Sequence, residues 1–166
     1  MKSTLKFLTL VLTLVVLSCG GGAEEKKETS KVKLKKQTTE KKAEVKKTKA
    51  SETVDLTNKG VGPIKSIDIP AEIDQAMATQ GKDVFDKMCT ACHRAGKKFI
   101  GPAPDGIMER RTPEWVMNMI LDPEGMVKND PLARELLIEF NGSPMANQSL
   151  TEEDARAVLE YFRTLK

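Results

Sequence analysis

Cys89-Thr90-Ala91-Cys92-His93 is the stretch whose residue types and spacing speak most directly of chemistry. Two thiols separated by two residues can add across the two vinyl groups of one porphyrin, and the next imidazole then falls over the iron. A Cys-x-x-Cys followed at once by His is the pattern of covalent c-type haem attachment. The competing uses need more than the chain offers. Structural zinc asks for four ligands, whereas this segment supplies three, with no second cysteine pair and no other histidine in the sequence. A thioredoxin-like redox pair asks for a strand–helix–strand setting, and the surrounding periodicity is helical. A disulfide inside the motif leaves the histidine unexplained.

An iron held by one imidazole takes a second axial ligand, and a chain with one histidine cannot supply another imidazole. Eight methionines are on offer. Met1 belongs to a leader segment, and Met77, Met88, Met117 and Met119 fall on helices, where a flexible thioether serves core packing. Met108 and Met126 fall in loops and stay open as candidates. Met145 stands out: it ends Asn141-Gly142-Ser143-Pro144-Met145, where glycine and proline fix the backbone, 52 residues after His93 and just ahead of the last helix.

The elements that must position these groups are helical. After Pro70, residues Ile73, Met77, Gly81, Val84, Phe85 and Met88 recur at spacings of three and four, one stripe of an amphipathic helix. Thr112 caps and Pro113 opens a second helix that Asp122-Pro123 stops at Leu121. Asp130-Pro131 opens a third through Leu132, Leu136 and Phe140, ended by Asn141-Gly142. Ser149 or Thr151 caps the last, which Glu152-Glu153-Asp154 load with acid in its first turn. No alternating strand pattern appears, so the expectation over 71–166 is an all-α domain.

The rest of the chain reads as an address and an arm. Lys2 and Lys6 precede a short apolar run over 7–17, as in an export signal, and Val16-Leu17-Ser18-Cys19-Gly20 resembles a bacterial lipobox. In that family the cysteine is acylated and the signal, here 1–18, is removed. Acyl chains contribute about 0.8 kcal/mol per buried methylene, enough in combination for a stable membrane anchor. Between 19 and 70 the sequence is rich in Lys, Glu and Thr and poor in aliphatics, the composition of a disordered tether. Residues 20–70 carry thirteen lysines against eight acids, and 71–166 carry twelve Lys/Arg against sixteen acids. A basic arm therefore joins an acidic domain, which argues against a nucleic-acid groove on the folded part and favours partners with basic patches.

Residues 71–166 resemble a class I c-type cytochrome. The resemblance rests on an N-terminal helix ending in Cys89-x-x-Cys92-His93, Gly101-Pro102 beyond it, the Pro144-Met145 loop and a C-terminal helix. Gly81 and Phe85, with Tyr161 or Phe162, match the residues at which the two terminal helices cross. It implies one haem c wrapped by about four to five short helices, thioether bonds from Cys89 and Cys92, and axial ligation by His93 and Met145. It also implies that the carbonyl of Pro102 orients His93. Trp115 is expected to reach a haem propionate through its indole N–H, with Arg110 or Arg111 nearby. The family often has leucine two residues after the proline; Pro104 stands there instead, leaving Ile107 or Ile100 as substitutes.

The implied function is a lipid-anchored electron carrier outside the cytoplasm, on the periplasmic side. Gly20 after Cys19 leans towards an outer membrane. A quinol-oxidising complex would be the donor and a terminal reductase or oxidase the acceptor, nitrous oxide reductase among the candidates. The alternatives are a haem enzyme or gas sensor with a labile sixth position, and a lipoprotein with a zinc or disulfide knot.

Overall fold

The computed structural model describes residues 48–166, so the leader over 1–18, Cys19 and the arm through residue 47 lie outside the described residues. Five helices and one 3₁₀ turn follow in order: α1 (Gln75–Met88), the turn (Ile107–Glu109), α2 (Pro113–Leu121), α3 (Pro123–Asn129), α4 (Pro131–Glu139) and α5 (Glu152–Arg163). Among the described residues there is no strand beyond isolated bridges, and no helix is long and apolar enough to cross a membrane.

Local chemistry sets each start. Asp74 accepts hydrogen bonds from the N–H groups of Ala76 and Met77 at the head of α1. Three helices then begin with an oxygen-bearing cap followed by proline, whose missing N–H would have had no partner there: Thr112-Pro113, Asp122-Pro123 and Asp130-Pro131. Thr151 and Asp154 form a reciprocal capping box at α5. The short α3 departs from the expectation that Asp122-Pro123 only ends a helix. The same dipeptide ends α2 and starts α3, with Asp122 Oδ1 accepting from the Gly125 N–H at 2.9 Å.

The terminal helices α1 and α5 cross closely. A side chain on Gly81 would lie 1.8 Å from the Ala157 carbonyl oxygen, so only glycine permits the approach. Phe85 closes the crossing against Tyr161 and Phe162, at centroid separations of 5.5 and 5.7 Å. At its other end Glu160, fully buried, accepts from the Asp74 N–H and pairs with Arg156 and Arg163 at 2.5 and 2.6 Å.

One boundary moves. The disordered tether was expected to run to residue 70, yet 48–70 is folded against the helices as a strap. Polar contacts, rather than a dense apolar face, hold it, so its sequence carries no apolar periodicity. Asn118, 1% exposed, accepts from the Ile64 N–H and donates to the Ile64 and Lys59 carbonyls. Thr112 Oγ1 donates to the Asn58 carbonyl at 2.6 Å, and Asn58 donates to Asp130 at 2.7 Å. Ile64 and Ala50 supply the apolar share, each buried. The folded domain therefore begins by residue 48.

Candidate functional site

The cysteine motif begins where α1 ends. Cys89 is the C-cap of α1, and the N–H groups of Cys92 and His93 both turn back to its carbonyl, at 3.1 and 2.9 Å. The Gly101 N–H then donates to the Cys92 carbonyl at 2.9 Å, folding the loop back under the histidine. His93 Nδ1 lies 2.8 Å from the carbonyl oxygen of Pro102. A carbonyl can only accept, so Nδ1 carries the proton and Nε2 is left with a lone pair for a metal. Gly101 is required by closeness: a Cβ there would sit 2.6 Å from His93 Cε1.

No disulfide joins Cys89, which is half-buried, to Cys92, which is exposed. Burial pushes the Cys89 thiol up to about 11, the opposite of the shift that activates a redox thiolate. Among the described residues no three His, Cys, Asp or Glu side chains cluster as a metal-ion site.

Cys89, Cys92, His93 and Met145 open onto one cavity of 230 Å³. A single water needs roughly 10–15 Å³ on the same measure, so this space calls for a large occupant. Its walls come from all five helices, the 3₁₀ turn and the loops between them, and they are mostly apolar, with Phe85, Ile107, Leu136 and Phe162 among them. Of the three loop methionines kept open, Met145 alone lines it. Met108 lies in the 3₁₀ turn, and Met126 is buried in α3 with its sulfur accepting from the Val61 N–H of the strap at 3.1 Å. Met88 and Met119, on α1 and α2, also reach the wall. The Met145 loop is held at both ends. Asn141 and Gly142 take left-handed backbone at φ +60° and +72°, the Gly142 N–H donates to the Leu137 carbonyl at 2.8 Å, and Asn147 donates to the Leu121 carbonyl at 3.2 Å.

A family model for cytochrome c matches residues 78–166. Cytochrome c from Rhodothermus marinus is 40% identical with a TM-score of 0.61, over 70% of this chain and 92% of that one. The chain belongs to the cytochrome c family. An engineered form of the Rhodothermus marinus cytochrome aligns at 40% identity and TM-score 0.60, over 70% of this chain and 93% of that one. The same engineered form bound to a carbene intermediate aligns at 40% and 0.58 over the same shares. No curated protein matches.

The fold is that of a class I c-type cytochrome, with one covalently bound haem c, a haem-based electron carrier. The cavity suits that group. Its lining is apolar where a macrocycle would lie, two thiols and an oriented imidazole stand on one side, and a thioether is carried by the loop before α5. The charged side chains of its wall are Arg110 and Arg111, and each has a buried Nε–H with no hydrogen-bond partner. Carboxylates are what such donors lack, and haem brings two. Pro104, Ile107 and Ile100 all line the cavity where the family's leucine is missing.

Trp115 does not take the role expected of it. The ring is buried at the wall, but its indole N–H donates to Asp130 Oδ1 at 3.3 Å. Asp130, itself buried, caps α4 through the Ala133 N–H and also holds Asn58. The indole is thus turned towards the junction of strap and α4, and the free donors at the wall belong to the arginines.

Proposed function

We propose that this protein is a membrane-tethered monohaem electron carrier of a respiratory chain. In this reading Cys89 and Cys92 would form the thioether bonds to the haem, and His93 and Met145 would hold its iron. The observation that carries it is the His93–Pro102 contact at 2.8 Å beside both cysteines, on a cavity that Met145 shares. When bound, the haem supplies a one-electron ferric/ferrous couple, and thioether ligation raises its potential relative to bis-imidazole ligation. The chain's residues do the rest. Pro102 holds the imidazole in one tautomer and orientation, the helices exclude water, and the tied Met145 loop would present its thioether to the iron. A filled position favours outer-sphere transfer over substrate chemistry at the metal.

Cys19 is the proposed lipid anchor and 1–18 its signal, on the periplasmic side of a bacterial membrane, the outer one where present. The donor would be a quinol-oxidising complex and the acceptor a terminal reductase or oxidase, with nitrous oxide reductase as a specific candidate. Charge near the cavity favours acidic patches on those partners, opposite to the sign drawn from the domain total. Lys97 and Lys98 are exposed beside exposed Phe99 and Ile100, and Lys98 Nζ stands 4.3 Å from the Phe140 ring at the cavity wall. Maturation in a host that attaches haem c tests the central assignment. Haem should stay on the denatured polypeptide, and Cys89→Ser with Cys92→Ser should abolish that; retention in the double variant would reject it.

A second reading, an exchangeable sixth position, draws on the engineered Rhodothermus marinus cytochrome that holds a carbene intermediate. Carbon monoxide binding to the ferrous protein at neutral pH would favour it, and inertness would count against it.

A further inference from the structure

The strap and the cavity meet at one side chain. Arg111 is 1% exposed and has no carboxylate within ion-pair distance among the described residues. Its Nη2 donates to the Ala50 carbonyl at 2.6 Å, and its Nη1 donates to the carbonyls of Thr53 and Arg110. Its two terminal nitrogens thus donate to two strap carbonyls and one of its neighbour's, while Nε–H is buried and unpartnered on a residue of the cavity wall. Arg110 repeats the pattern, with its Nη2 on the Asp105 carbonyl and its Nε–H unpartnered. Burial and the neighbouring charge of Arg110 both disfavour the Arg111 cation, and Asp55 and Asp130 offset them only from beyond ion-pair distance. The strap also touches the cavity directly: Ser51 lines it, fastened by its N–H and Oγ to Glu139 of α4 at 2.8 and 2.5 Å.

We propose that Arg111 couples docking of the strap to seating of the haem carboxylates, which makes 48–67 a positioning segment of the haem cleft as well as the end of the tether. Carbonyl oxygens of the strap hold one edge of the guanidinium so that its remaining donor, with that of Arg110, meets the negative charge of the group in the cavity. The coupling runs both ways. A carboxylate neutralises the cation that the strap must bury, and the strap excludes water from the pair.

This rests on haem occupying the cavity, and the experiment separates the two claims. The full-length, haem-loaded protein, Arg111→Gln and Asn118→Ala are compared by absorbance of attached haem, midpoint potential and the rate of trypsin cleavage after Lys59 and Lys65. Asn118 is off the cavity and anchors the strap elsewhere. For Arg111→Gln the expected result is full haem attachment, a lower potential because a cation opposing the ferric state is gone, and at least tenfold faster cleavage. For Asn118→Ala the expected result is faster cleavage together with a lower potential, since water admitted under the strap favours the more charged ferric state. An unchanged potential in Arg111→Gln, or faster cleavage at unchanged potential in Asn118→Ala, would overturn the coupling. If Arg111→Gln fails to accumulate, Asn118→Ala alone decides. Absence of haem from the unsubstituted protein would instead reject the assignment of the cavity.

Discussion

At the scale of residues, the site depends on one close approach. Gly101 lies so near the imidazole that Gly101→Ala would drive a Cβ to 2.6 Å from His93 Cε1. The ring must then leave the Pro102 carbonyl, and we expect a loss of about 1–3 kcal/mol, typical of overpacking, with a weakened His–iron bond. A thermal melt of the loaded protein and its ferrous absorption check both; an unaltered melt and spectrum would contradict the contact. Much of this site was legible beforehand. Haem attachment demands a fixed local spacing, which Cys89, Cys92 and His93 have in the sequence, and Met145 follows a Gly and Pro signature that needs no knowledge of the fold. The role of Trp115 was not legible in the sequence. Its donor finds Asp130, fifteen residues on at the head of α4, and no local pattern announces a partner reached through tertiary packing.

Among the elements, the crossing of α1 with α5 holds the cysteine motif over the cavity. In Gly81→Ala the new methyl meets backbone, the Ala157 carbonyl at 1.8 Å, which cannot rotate aside. A destabilisation of about 2–3 kcal/mol or more is expected, read as a lowered melting temperature and reduced haem loading. The same crossing is pH-sensitive through Glu160. Burial alone would raise its carboxyl, but Arg163, Arg156 and the Asp74 N–H outweigh it and hold it below the usual range. A depressed folded pKa adds stability above the unfolded value, about 4.3, and that stability is lost as pH falls through the folded value. Urea midpoints should therefore drop below about pH 4, and Glu160→Gln should be less stable at pH 7 with a flatter acid profile. Caps made α2, α4 and α5 readable, since Thr112-Pro113, Asp130-Pro131 and Thr151 with Asp154 announce helix starts locally. The helix α3 was hidden because Asp122-Pro123 serves two helices at once, and the strap because side-chain bonds to its backbone carbonyls leave no periodic trace.

For the molecule as a whole, seven aromatic residues and a large apolar cavity imply that the macrocycle completes the core. The protein matured without haem should therefore lose most of its fixed tertiary structure, visible as a collapsed near-ultraviolet signal; a cooperative melt in that form would contradict this. Docking belongs to the same scale. Reversing Lys97 and Lys98 to Glu should slow transfer to a partner with an acidic patch, and the loss should shrink as salt rises. The central claim is a closed iron in a carrier of single electrons. The most direct measurement is the weak red absorption band that sulfur ligation gives ferric haem, in the full-length protein and in Met145→Ala, Met108→Ala and Met126→Ala. The account predicts the band in the unsubstituted protein and its loss in Met145→Ala alone. A band that survives Met145→Ala, or is missing from the start, would contradict it.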